Sequence, residues 1–221
     1  MVSFARPDDL ELVAELCQSF ALDNGAFTAW TQGKKYVPHK FFAWAEQWLR
    51  HPGCDWALAP DVIDGDEAAN DALLAECRAP EFVPVWHLHE SLERLERLCS
   101  SWPRVAFGSS GQYAEVSTPR WWGRMAEALN VVTDEGGMPI CKLHGLRMLD
   151  SVVFAHVPFA SADSTNVARN IGLDNRWSGP YVPSSQHVRA IVMIDRIESH
   201  AAARNWNRET AGAGWNRDLL G

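Results

Sequence analysis

Two stretches place an acidic side chain where chemistry is plausible. One is Leu22-Asp23-Asn24-Gly25-Ala26-Phe27 and the other is Ser161-Ala162-Asp163-Ser164-Thr165-Asn166. In each, a lone Asp stands where apolar residues give way to small polar ones. An ionised carboxylate cannot follow an apolar run inside unpaired, so both residues are expected at a rim where an element leaves the core. Two rim carboxylates from distant parts of a chain suit an acid/base or nucleophile/acid pair. The competing reading is that both simply end strands or cap helices.

Other chemistry-bearing residues recur between them. Asp61 and Asp64 follow the apolar stretch 54–59, and His87-Leu88-His89 ends another. Side chains alternate along a strand, so the two imidazoles share a face. Such a pair can bind a divalent metal, with His144 and Asp163 completing a hydrolase-like set. Alternatively, one His reads a ligand through hydrogen bonds while the other packs. Gly108-Ser109-Ser110-Gly111 exposes backbone N–H groups but lacks a P-loop lysine. It reads as a close wall for a flat ligand or as a plain turn. Lys34, Lys35 and Lys40 form a basic cluster beside the Asp23 loop, whereas Arg120, Arg124, Arg169, Arg176 and Arg189 are scattered.

The elements that must carry these residues alternate. Asp8 is the expected N-cap of a first helix, followed by an apolar strand over 18–22 and a helix bearing Phe41, Phe42, Ala45, Trp48 and Leu49. Strands are expected over 54–59, 82–89, 104–107, 140–143 and 158–162. Helices are expected over 67–77, from Ser91, from Thr118-Pro119, over 146–157 and over 184–203. This alternation implies an α/β fold with a parallel sheet and right-handed crossovers. About seven such units in 221 residues favour a compact (β/α)8-type barrel, its last unit incomplete or irregular. The fingerprint G-x-G-x-x-G is absent. In a barrel, functional residues gather at the C-terminal ends of the strands, so Asp23 and Asp163 are expected to face one cavity.

Composition narrows the classes. Apolar residues make up 47% and charged residues 22%, an ordinary globular balance. No internal repeat or low-complexity tract divides the chain, which reads as a single domain over 1–221. No apolar run reaches membrane-spanning length, and the N-terminus lacks a signal-peptide layout. Five scattered Cys without a CxxC pair argue for reduced thiols in a cytosolic setting and against a zinc ribbon. A net charge of −8 opposes a broadly basic nucleic-acid surface while leaving room for a local groove.

Taken in order, these motifs resemble the guanine transglycosylase superfamily, and in particular its phage and bacterial branch that inserts 7-deazaguanines into DNA. Asp23-Asn24-Gly25-Ala26-Phe27 resembles the D-S-G-[GA]-F signature. Asp61 to Asp64 falls where the family reads the purine edge, and Trp86-His87-Leu88-His89-Glu90 falls where tRNA enzymes carry Val-Gln-Gly-Gly. Phe107-Gly108-Ser109-Ser110 resembles the next substrate-lining motif. His144-Gly145 and Ser161-Ala162-Asp163-Ser164 resemble the approach to the nucleophilic Asp. The zinc module of the tRNA enzymes is missing, and so is the Gln-Gly-Gly triplet, which favours DNA over tRNA.

The resemblance implies a barrel without cofactor or metal and base exchange by double displacement. Asp163 would be the nucleophile and Asp23 the acid/base. Asn24, Asp61, Asp64, His87, His89, Gly108, Ser109, Ser110 and His144 would bind substrate, with Lys34, Lys35 and Lys40 on the DNA. The implied partners are DNA and a free base such as 7-cyano-7-deazaguanine. The implied setting is cytoplasmic, that of the host where the gene is phage-borne, without membrane association and compatible with a homo-oligomer. Two alternatives stand beside it: a metal-dependent barrel hydrolase on His87, His89, His144 and Asp163, and a non-catalytic subunit of a DNA-modification system.

Overall fold

The computed structural model describes residues 1–164, 183 and 185–208. The chain forms two compact units, Met1–Ala114 and Glu115–Gly221. Both are mixed α/β, and every strand pairing within each unit is parallel.

In the first unit, β1 (Val2–Ser3), β2 (Phe20–Asp23), β3 (Cys54–Leu58) and β4 (Phe82–Val83) form one sheet in that order. Leu22 lies opposite Val2 on one side and Ala57 on the other, and Leu58 lies opposite Val83. These strands read as apolar runs because a parallel sheet is covered on both faces. Leu22, Ala57 and Phe82 are buried with Leu10, Phe41 and Ala45 in one cluster. Leu10 opens α1 (Leu10–Leu16), while Phe41 and Ala45 lie on α3 (Pro38–Trp48). Between them, α2 (Ala26–Thr31) follows β2 directly. The β3 strand leads to α4 (Glu67–Ala75), capped by Asp66, whose carboxylate accepts from the Ala69 N–H at 2.8 Å.

The expected strand over 82–89 is two strands. Pro84 has no N–H to give a ladder, and the chain breaks there into β4 and β5 (Val85–His87). The β5 strand pairs with β6 (Arg104–Gly108), placing His87 opposite Gly108. Ser91 caps α5 (Leu92–Ser101) between them, as its sequence position suggests.

In the second unit, Thr118 accepts from the Trp121 N–H and Pro119 takes the first turn of α6 (Pro119–Val132). Trp121, Trp122, Met125 and Leu129 are its buried face. The β7 strand (Lys142–Gly145) pairs with β8 (Ser161–Ala162), His144 opposite Ser161. Between them lies α7 (Ser151–His156), capped by Asp150, whose carboxylate accepts from the Val152 N–H at 2.9 Å. A final helix, α8 (Gln186–Glu198), precedes a segment that packs back through Trp206. The Trp206 N–H donates to Gly137 O at 2.8 Å and its indole to Asn130 Oδ1 at 2.9 Å. Gly137, at φ +79°, could carry no side chain there, because a Cβ would lie 2.1 Å from Trp206 O.

Four further expectations are corrected. Asp8 lies inside a 3-10 turn (Pro7–Asp9), and Asp9 precedes α1 without a side-chain cap. The strand expected over 140–143 sits two residues later, at Lys142–Gly145, where His144 and Gly145 pair with β8. The helix expected over 146–157 begins only at Ser151, since Arg147 adopts a left-handed φ of 61° that a helix cannot contain. The helix expected over 184–203 is confined to Gln186–Glu198. Among the described residues no helix is long and apolar enough to cross a membrane.

Candidate functional site

In the first unit, the carboxylate beyond β3 is the hub of a buried polar cluster. Asp61 is 6% exposed. Its Oδ1 accepts from the Asn24 amide at 2.7 Å, and its Oδ2 meets His87 Nε2 at 2.8 Å. The Asn24 amide also donates to Ala59 O at 2.7 Å, while its Oδ1 accepts from the Ala26 N–H at 2.8 Å. Asn24 therefore ties the start of α2 to the end of β3. Gly25 between them takes a left-handed φ of +76°, and a Cβ there would lie 3.0 Å from Ala5 N.

A second layer holds His87. Its N–H donates to Glu90 Oε2 at 2.9 Å, and the same carboxylate receives Asn70 Nδ2 at 2.9 Å and Arg94 Nη1 at 2.6 Å. Arg94 also donates to Val85 O at 2.9 Å and to Asp71 at 3.0 Å. Buried charges survive when paired and hydrogen-bonded, as Glu90 and Arg94 are here.

Burial alone would lower the His87 basicity, but the hydrogen bond and charge of Asp61, with Glu90 adding, outweigh it and hold the imidazole above its ordinary value. His87 Nδ1 is buried without a hydrogen-bond partner among the described residues. It abuts Gly108, where a Cβ would come within 2.6 Å, so glycine is required opposite His87. His89 is exposed, with its ring stacked on His87 at 5.5 Å between centroids.

Asp23 ends β2 and is half-buried. Tyr36 lies within the fields of Asp61 and Asp23; burial first, then these two charges, push its phenol far above the ordinary value and keep it protonated. Its hydroxyl has no hydrogen-bond partner among the described residues. Beside Asp61 opens a cavity of about 420 Å³, lined by Trp30, Lys34, Tyr36, Asp61, Asp64 and Leu73 among others. Lys35 and Lys40 are exposed and do not line it. Ser110 is buried, and Ser109 Oγ donates to Tyr113 O at 2.5 Å.

In the second unit, Asp163 follows β8 directly. Its N–H donates to Gly145 O at 3.1 Å and its carbonyl accepts from the Leu149 N–H at 3.0 Å. Its carboxylate accepts from the Arg147 N–H at 2.5 Å. Burial raises its pKa above the ordinary carboxylate value, and that N–H, with the Arg147 charge, works against the rise. His144 Nδ1 meets Ser161 Oγ at 2.9 Å. The donors expected from Thr165 and Asn166 lie outside the described residues, as do Arg169 and Arg176.

The structure thus brings Asn24, Asp61 and His87 into direct contact, with Gly108 and His89 against His87. Lys34 and Asp64 share the cavity with Asp61. Asn70, Glu90, Arg94, Trp30 and Tyr36 were not singled out as site residues by sequence; the Glu90/Arg94 spacing of four residues was the available signal. Among the described residues no group of three or more His, Cys, Asp or Glu side chains could hold a metal ion. Burial pushes the Cys54 thiol up to about 11 and the Cys77 thiol to about 12, so neither is a thiolate at neutral pH. Comparison with known family models, curated proteins and solved structures finds no match to the chain.

Proposed function

We propose that the protein is a DNA guanine transglycosylase, exchanging guanine in DNA for a free 7-deazaguanine base. The observation that carries the reading is the Asn24–Asp61–His87 cluster, a buried carboxylate at the C-terminal side of parallel strands held by two side chains. An oriented carboxylate suits the N–H edge of a guanine-type base, because that edge offers adjacent donors. The finer architecture, a single closed (β/α)8-type barrel, belongs to the same proposal.

In the proposed reaction, the Asp163 carboxylate attacks C1′ of the target nucleoside as the C1′–N9 bond to guanine breaks. Asp23 as acid gives a proton to the departing base. The product is a covalent glycosyl–Asp163 ester. The incoming base, losing a proton to Asp23, then forms its bond to C1′ and expels the Asp163 carboxylate, so configuration is retained. Neither displacement requires a cofactor. Lys34, Lys35 and Lys40 would meet phosphates, and the target nucleotide would leave the stack.

The test is incubation of the full chain with duplex DNA and 7-cyano-7-deazaguanine, followed by nucleoside analysis, with tRNA in parallel. The expected result is the 7-deazaguanine nucleoside in DNA. Exchange into tRNA alone would overturn the substrate, and exchange into neither would overturn the activity. Activity lost to a chelator and restored by zinc would instead favour the hydrolase alternative.

A further inference from the structure

We infer that α8 is the interface of a two-fold homodimer, its outer apolar face packing antiparallel against the same face of a second copy. The inference stands on the second unit alone and is independent of the base-exchange reading. Ser185 caps the helix through the Val188 N–H at 3.2 Å, and none of the helix's described side chains is fully buried. Val192, Met193 and Ile197 are half-buried on one side. Val188, Ile191 and Ile194 are 39%, 51% and 43% exposed. With 3.6 residues per turn, these three fall within about 120° of one another, on the side of the helix opposite Met193. A surface helix normally turns polar residues outward, so an aliphatic stripe on the outer side marks a face that something covers.

The order of residues along the stripe selects a second copy as the occupant. Ile191 stands midway between Val188 and Ile194, so the stripe reads the same in both directions. A two-fold axis through Ile191 sets that side chain against itself and brings Val188 level with Ile194 of the second copy. That is the self-complementary contact a two-fold interface needs. The exposed polar residues of the same face follow the symmetry, with His187 at the start and Asp195 and Glu198 at the end. Antiparallel pairing brings the His187 imidazole level with the Asp195 carboxylate of the second copy. It also sets the start of one helix beside the end of the other, where their dipoles attract. An anionic bilayer is the poorer occupant, because Asp195 and Glu198 would face it. One helix pair buries less than the roughly 1,600 Å² of a standard interface, so the dimer should be half-formed between about 1 µM and 1 mM.

Sedimentation of the full chain across that range should show a monomer–dimer equilibrium. Ile191→Lys places two like charges on the axis and should shift half-dimerisation upward by about 100-fold or more. Its melting temperature in dilute solution should match wild type, since residue 191 is half-exposed in the monomer. Crosslinking supplies a second arm, which decides the matter if Ile191→Lys fails to fold. Under mild oxidation Ile191→Cys should form a disulfide-linked dimer, mapped by mass spectrometry to residue 191 of both chains. Glu198→Cys, exposed on the same face but about 10 Å along the helix from the axis, should not. A wild type that stays monomeric throughout, a dimer unchanged by Ile191→Lys, or Glu198→Cys linking as readily as Ile191→Cys would each overturn the interface. A monomer that pellets with phosphatidylserine vesicles would assign the face to lipid instead, and a monomer destabilised by Ile191→Lys would assign it to the chain's own fold.

Discussion

Asp61 and Asp163 both lie just beyond the end of a parallel strand, yet their surroundings differ. Asp61 is gripped by two side chains, and its partner His87 is gripped in turn by Glu90 and Arg94. Asp163 instead takes a backbone N–H from Arg147, a residue in a left-handed conformation, and burial raises its proton affinity. Side chains that clamp both oxygens suit a group that must hold one orientation. A partly desolvated carboxylate with fewer clamps is the better nucleophile, because less solvation must be stripped at the moment of attack. Under the proposed function, this contrast matches recognition by Asp61 and chemistry by Asp163.

The largest expected effect follows from that division. Asp163→Asn keeps the volume and the hydrogen bond from Arg147 but removes the nucleophile, so exchange should fall by about 10³-fold or more. The same change should raise the melting temperature slightly at pH 7. A raised folded-state value means that ionised Asp163 costs stability, so the gain should fade as pH falls through about 4. Thermal melts of both proteins across pH check this, and a lower melting temperature for Asp163→Asn at pH 7 would contradict it.

Next comes the support beneath His87. Arg94→Met leaves Glu90 buried beside an apolar chain and should destabilise the fold by about 3–5 kcal/mol in denaturant titration. Gly108→Ala drives a methyl into His87 Nδ1 and should cost about 1–3 kcal/mol. If either variant is as stable as wild type, the described clamp is not rigid.

How far this cluster was legible in sequence depends on the distance between its members. Thr118-Pro119 and Ser91 are signals carried by local chemistry, and the structure follows them. Asp61, His87 and Gly108 were marked because polar residues closing apolar runs stand out in one dimension. Their mutual contacts did not stand out, because Asn24 beyond β2 reaches Asp61 beyond the neighbouring β3, and Asn70 reaches Glu90 from α4. The β7 strand lies two residues beyond the expected 140–143, and His144 and Gly145, which the apolar run does not include, are the residues that pair with β8. Arg147 carries no sequence mark of a left-handed backbone, so the turn that delivers an N–H to Asp163 was read as helix.

Smaller effects sharpen the contrast further. His87 has a folded-state value above its unfolded one, so its pairing with Asp61 stabilises the protein fully below about pH 6.5 and the benefit is lost as pH rises through the folded value. Denaturation midpoints of wild type should decline over that window, and His87→Gln should flatten the decline. The smallest change expected is at the surface: Lys35→Ala or Lys40→Ala should each lower the salt slope of DNA binding by about one. An unchanged slope would move the DNA path elsewhere.

The most direct measurement is to incubate wild-type protein and Asp163→Asn side by side with duplex DNA and radiolabelled guanine, and to count label retained in the DNA. Label is expected in DNA with wild type and none above background with Asp163→Asn. Equal labelling by both proteins would contradict the role of Asp163, and no labelling by wild type would contradict base exchange itself.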